Sequence, residues 1–189
     1  RLHNIIINNS DFEKCNKAMK CLSEVVDNSP LWMEPFLLDF IPVLMDNISF
    51  FKTSIVAKET ATIIIRKMNV HSIKIVLNIL FKSFESLKWQ TKCGALAILG
   101  MFKDLKKDVV QQNIPIIILK LIDLTSDIKR DVKEQTKECF INICSVIDNI
   151  DIINIIPDII NAYLEHDKYT EQSLDKLVST IFINEMDLS

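Results

Sequence analysis

Five cysteines (Cys15, Cys21, Cys93, Cys139, Cys144) and three histidines (His3, His71, His166) are the side chains best suited to hold a metal or attack an electrophile. Their spacing supports neither role. No two cysteines form a C-x-x-C pair, and no histidine lies where it would complete a zinc site. The thiols read as small hydrophobes on buried helix faces, which implies a reducing compartment. Ser, His and Asp are scattered without a nucleophile elbow, and carboxylates such as Glu134 and Glu138 sit beside lysines on a solvated face. Gly94 and Gly100 are the only glycines, so no G-x-x-x-x-G-K-[ST] loop exists to cradle phosphate. These residues offer no catalytic site, no cofactor and no small-molecule substrate.

The basic residues are spaced more regularly. Lys129, Lys133 and Lys137 follow at i, i+4 and i+8, which puts three like charges on one helix face, and Arg130 joins them at the turn. Lys88 and Lys92 stand at the corresponding turn earlier in the chain, and Lys52 and Lys58 extend the stripe. Such an edge meets rRNA phosphate or an acidic protein face, or else it is a solvated face neutralised by Asp131, Glu134 and Glu138. Trp89, at the same turn as Lys88, is either a packing residue or an interface anchor.

These side chains need a scaffold, and the apolar pattern supplies one. Val132, Thr136, Cys139, Phe140, Ile143, Cys144 and Ile147 share one face of a 3.6-period helix, preceded by a run opening at Pro115 and broken at Thr125-Ser126-Asp127. Neither helix can bury its stripe alone. The punctuation recurs at Pro42, Asn78, Pro115 and Pro157, offsets of 36, 37 and 42, and Lys58, Lys92 and Lys133 in the second helices lie 34 and 41 apart. Helix pairs repeating at such periods predict an all-α HEAT-repeat solenoid of about four pairs, residues 1–189 forming a single domain.

Composition agrees: 49% of residues are hydrophobic with only 2 glycines, which suits packed helices. A net charge of −3 gives no global attraction to nucleic acid or acidic membranes, so any such binding needs a local patch. Apolar runs such as Ile152-Ile153 are interrupted well before the length a bilayer requires, and no signal peptide is visible. The expected location is cytoplasmic. The start at Arg1 and the apolar pattern running to the last residues suggest a fragment of a longer protein, whose cut ends would self-associate weakly.

Taken in order, residues 1–10 read as irregular, Ser10-Asp11 as a cap for a helix to about Val26, and Glu34-Pro35 as the start of a helix bent at Pro42. Residues 53–68, 71–85 and a segment from Lys88-Trp89 make further helices. Asn69 terminates the first of these, and Gly94 and Gly100 lie on different faces. A last pair covers 151–165 and 170–183. The expected core includes Phe40, Leu44, Ile64, Leu77, Leu80, Leu96, Leu99, Ile118, Cys139, Phe140, Ile143 and Ile160.

Glu34-Pro35 with Pro42, Asn69 then Ile73-Lys74, Lys88-Trp89-Gln90-Thr91-Lys92, Lys129-Arg130-Asp131-Val132-Lys133, Val146 to Ile152 and Thr180-Ile181-Phe182 together resemble the HEAT region of fungal-type translation elongation factor 3. The chain also resembles the related segment of the translational activator of general amino-acid control, a ribosome-bound HEAT scaffold that supports kinase activation. Asp148-Asn149 and Lys88-Trp89-Gln90 lean to the first, His71 to Lys74, Thr91 to Gly94 and Leu99-Gly100 to the second. The resemblance implies a ribosome-docking scaffold without activity of its own, with rRNA, ribosomal proteins or other translation factors as partners. If the parent is the elongation factor, ATP-binding cassettes belong to another part of it. A protein-binding HEAT scaffold outside translation is the remaining alternative.

Overall fold

The computed structural model describes residues 2–7 and 11–146; the expected last helix pair, with Ile147 and Ile160, lies outside them. Every element among the described residues is helical: α1 (Leu2–Ile7), α2 (Phe12–Asp27), a single 3-10 turn (Leu31–Met33), α3 (Glu34–Leu37), α4 (Phe40–Ile48), α5 (Ser54–Lys67), α6 (Val70–Phe84), α7 (Trp89–Leu105), α8 (Lys107–Thr125) and α9 (Arg130–Cys144). The backbone groups into two compact units that divide within α7, after Met101.

In the first unit α1 pairs with α2 and α4 with α5, while α2 packs broadly along α5. The seam is built from Met19, Leu22 and Val26 on one side and Ala57, Ala61 and Ile64 on the other, all buried. Small residues on α5 let the helices approach, and a polar stitch crosses the seam where the Ser23 hydroxyl donates to Thr60 Oγ1 at 3.0 Å and Thr60 donates to the Met19 carbonyl at 3.3 Å. Apolar burial along such a seam contributes about 25 cal/mol per Å² removed from water. In the second unit α8 and α9 pair through the expected face: Val132, Thr136, Cys139, Phe140, Ile143 and Cys144 are all buried.

Residues 2–7, expected to be irregular, form α1. Ile6 is fully buried, and its carbonyl receives the Cys15 thiol at 3.7 Å and the Asn47 amide at 3.4 Å, so tertiary partners order a segment whose composition alone does not. Asn47 is buried as well and its amide also donates to the Val43 carbonyl at 2.9 Å, while Thr53 closes the next turn on the Asn47 carbonyl at 2.7 Å. A buried amide with its hydrogen bonds made is tolerated, whereas an orphaned one costs about 1–3 kcal/mol.

Proline acts as expected at one site and differently at the other. Pro42 cannot donate to the Leu38 carbonyl and its ring crowds that group. The helix breaks there into α3 and α4, and the Leu38 carbonyl accepts from Ile41 N at 3.2 Å instead. Pro115 does not open a helix: α8 starts at Lys107, and Pro115, which has no N–H to donate, lies in its interior. Lys106 ends α7 by donating to the Phe102 carbonyl, and α8 begins one residue later, so the apolar run marked the helix middle.

Most of the expected core is buried, including Leu44, Ile64, Leu77, Leu80, Leu96, Leu99, Ile118, Cys139, Phe140 and Ile143. Phe40 is the exception. It is only partly buried, with its ring edge against His3 at 5.4 Å between centroids, because α1 covers it with an imidazole in place of a full helix.

Asn69 caps the following helix, accepting from Ser72 N at 3.0 Å, and it is itself held by Glu34. The buried Glu34 carboxylate accepts from both the Asn69 backbone and, at 2.7 Å, its side-chain amide. Glu34-Pro35 and Asn69, which carry part of the family resemblance, therefore form one clip across 35 residues. Gly94 also has a specific role. A Cβ there would sit 2.0 Å from the Met45 carbonyl oxygen, so the two helices cross backbone to backbone. Thr91 donates to Asp46 at 2.7 Å and Ser49 to the Gln90 carbonyl beside that crossing.

Candidate docking site

Of the basic residues named from sequence, Lys52, Lys88 and Lys129 lie in the turns inside helix pairs, whereas Lys58, Lys92, Arg130, Lys133 and Lys137 lie on the helices that follow those turns. In the second unit, the turn before α9 is fixed by Lys129 N donating to Asp127 Oδ1 at 2.8 Å. Lys129, Arg130, Lys133 and Lys137 are all exposed. Arg130 pairs with Glu134, Nε to Oε1 at 2.7 Å, and that hydrogen bond together with the carboxylate's charge pushes the guanidinium pKa up. Glu138 accepts from Gln135 at 2.9 Å. The carboxylates on this face thus take Arg130 and Gln135 as partners, while Lys129, Lys133 and Lys137 form no ion pair among the described residues. Three ammonium groups that make no ion pair among the described residues thus lie along the start of α9, mildly unfavourable by itself, with Asp131, Glu134 and Glu138 on the same helix.

In the first unit, the turn before α7 is fixed by Lys88 N donating to Ser86 Oγ at 3.2 Å. Lys88 is exposed, whereas Trp89 and Lys92 are partly buried against the helix pair. Lys88 also borders an open cleft of about 660 Å³, whose apolar lining is Ile7, Pro42, Val43 and Phe50 and whose polar lining is Asp46, Asn47, Gln90 and Lys88. Lys52, at the preceding turn, stands 4.9 Å over the Phe12 ring, and Lys58 is exposed on α5.

Sequence reasoning missed the apolar partner of each lysine. Phe51, Leu87 and Ile128 are 95%, 104% and 97% exposed, and each immediately precedes a turn lysine: Lys52, Lys88 and Lys129. Their offsets of 36 and 41 match the repeat, so an apolar-Lys dipeptide recurring at that period was the available signal. Among the described residues no group of three or more His, Cys, Asp or Glu side chains is placed to hold a metal. No helix there is long and apolar enough to cross a membrane. Four thiols are buried as expected, whereas Cys21 is exposed; among the buried ones, burial pushes Cys144 up to about 12 and Cys139 higher still, with the Glu138 charge adding to the latter.

Comparison with known proteins agrees with this architecture. Elongation factor 3 of Phytophthora infestans is 31% identical over 154 residues, covering 80% of this chain and 15% of that protein. The eIF-2-alpha kinase activator GCN1 of Dictyostelium discoideum is 28% identical over 174 residues, covering 90% of this chain and 6% of that protein. The chain thus spans a small part of each relative's length. A solved structure from work on microtubule plus end tracking by XMAP215, CLIP-170 and EB1 superposes with a TM-score of 0.69 at 11% identity, over 95% of this chain and 72% of its own, a likeness of fold alone. The profile of the family described as EF3 N-terminal HEAT repeat matches residues 1–140, and the chain belongs to that family of helical-repeat scaffolds.

Proposed function

We propose that this chain is a non-catalytic ribosome-docking segment of a cytoplasmic translation factor, and that the lysines of its intra-pair turns make the electrostatic contact. The family is a repeat scaffold rather than a catalytic fold, and its relatives include elongation factor 3 and GCN1. The observation that carries the reading is the α9 edge, where Lys129, Lys133 and Lys137 are exposed and form no ion pair among the described residues although carboxylates lie on the same helix. Because the whole chain is acidic, at −3, attraction to rRNA depends on such local edges.

Cosedimentation with ribosomes across a salt series tests it. About three phosphate contacts give a log–log slope of roughly −2 to −3. The triple substitution K129E/R130E/K133E weakens binding and flattens the slope while leaving helicity unchanged, since exposed charges contribute little to stability. Equal cosedimentation of parent and triple variant would remove this edge from the docking surface.

A further inference from the structure

The repeated apolar tips carry more information than the lysines beside them. A single exposed hydrophobe on a protein surface needs no explanation. Phe51, Leu87 and Ile128, however, occupy every turn inside a helix pair that lies wholly among the described residues, and all three are almost fully exposed. The linkers between pairs do not repeat the apolar-lysine tip: Met68 is buried, Asn69 and Lys106 are polar, and the exposed Trp32 is followed by Met33.

We propose that the paired turns of the first unit, Phe50-Phe51-Lys52 and Leu87-Lys88, form a docking site for an acidic, apolar protein segment, which seats a hydrophobic side chain in the cleft between them. The proposal rests on reading the intra-pair turns as the docking edge and names the chemistry of its partner. Phe50 of one turn and Lys88 of the other both border the cleft. Pro42, Val43 and Phe50 give it an apolar surface, and Asp46 is already engaged by the Thr91 hydroxyl. Lys88 at the rim, with Lys52 on the neighbouring turn, calls for carboxylates flanking the inserted side chain, which is charge complementarity around an apolar anchor. The cleft itself favours protein over RNA: unpaired bases are recognised by stacking on aromatic or guanidinium planes, whereas Ile7, Pro42 and Val43 give it a mainly aliphatic lining with Phe50 as its one aromatic ring.

The test titrates the 189-residue chain with a short fluorescent peptide that carries a central Phe-Leu pair flanked by aspartates. Two companion peptides replace Phe-Leu by Ser-Ser, or the aspartates by asparagines. Fluorescence anisotropy is expected to show binding of the first peptide, weakened about tenfold or more by either peptide change and by F51S/L87S in the protein. Both substituted residues are exposed, so far-UV circular dichroism and the melting temperature stay as in the parent. Undetectable binding of the Phe-Leu peptide overturns the proposal. So does binding unchanged by Ser-Ser or by F51S/L87S, or tighter binding of a single-stranded RNA oligonucleotide that the same variant abolishes. Ribosome cosedimentation is scored separately: a parent chain that binds the peptide but not ribosomes loses the ribosomal reading and keeps this site.

Discussion

Single residues decide several features that composition leaves open. Gly94 meets the Met45 backbone, so Gly94→Ala forces the helices apart. Its helix-propensity gain of about 1 kcal/mol is outweighed by an overpacking cost of about 1–3 kcal/mol or more, and chemical denaturation should show net destabilisation. Glu34→Ala removes the carboxylate that holds Asn69, and the loss of charged hydrogen bonds there should cost about 1.5–3 kcal/mol in the same assay. The thiols predict a pH dependence. Cys144 has a folded pKa near 12, above its ordinary 9.0, so its contribution is complete below pH 9 and is lost as pH rises from there toward 12. The loss is about 1.4 kcal/mol per pH unit, so stability measured against pH should fall less steeply for Cys144→Ala than for the parent. Cys21 is the one exposed thiol and should react first with a thiol reagent under native conditions.

At the scale of elements, apolar periodicity made the helices legible, because a face such as Val132 to Cys144 has only one way to be buried. Phe140 is 1% exposed on that face, so Phe140→Ala should cost about 3–5 kcal/mol in chemical denaturation. Boundaries were legible where a cap marked them, as at Asp11, which accepts from Lys14 N at 3.1 Å. They were not legible where the determinant lies far along the chain. Nothing within residues 2–7 announces a helix, since Asn47 and Cys15 order it from outside. Pro115 misled because a proline suits a helix start, and only the packed pair shows that α8 tolerates one inside. The basic half of the candidate site was legible as i, i+4 spacing; its apolar half was not, because exposure of Leu87 or Ile128 is a property of the turn and not of the residue type.

Across the molecule, the repeat architecture makes stability local. A helical array gains its energy from each repeat and its nearest neighbours, so damage should spread no further than one repeat. Hydrogen exchange on Phe140→Ala should accelerate amides of α8 and α9 strongly while those of α2 and α5 change little. Equal acceleration in all four helices would point to one cooperative body instead.

The side-chain bonds that join one repeat to the next share a common reach. His3 to Asp39 spans 36 residues, Asn16 to Lys52 also 36, Lys67 to Val26 41, Ser49 to Gln90 41, Thr91 to Asp46 45 and Lys103 to Asn142 39. None of these ties requires a stretch of sequence made much later than its partner. A chain emerging from a ribosome at about 5–20 residues per second completes each tie within seconds of the preceding repeat. The apolar stripe of one helix pair thus waits only briefly for its cover, and synthesis itself, from the N-terminus onward, sets the order in which the scaffold assembles.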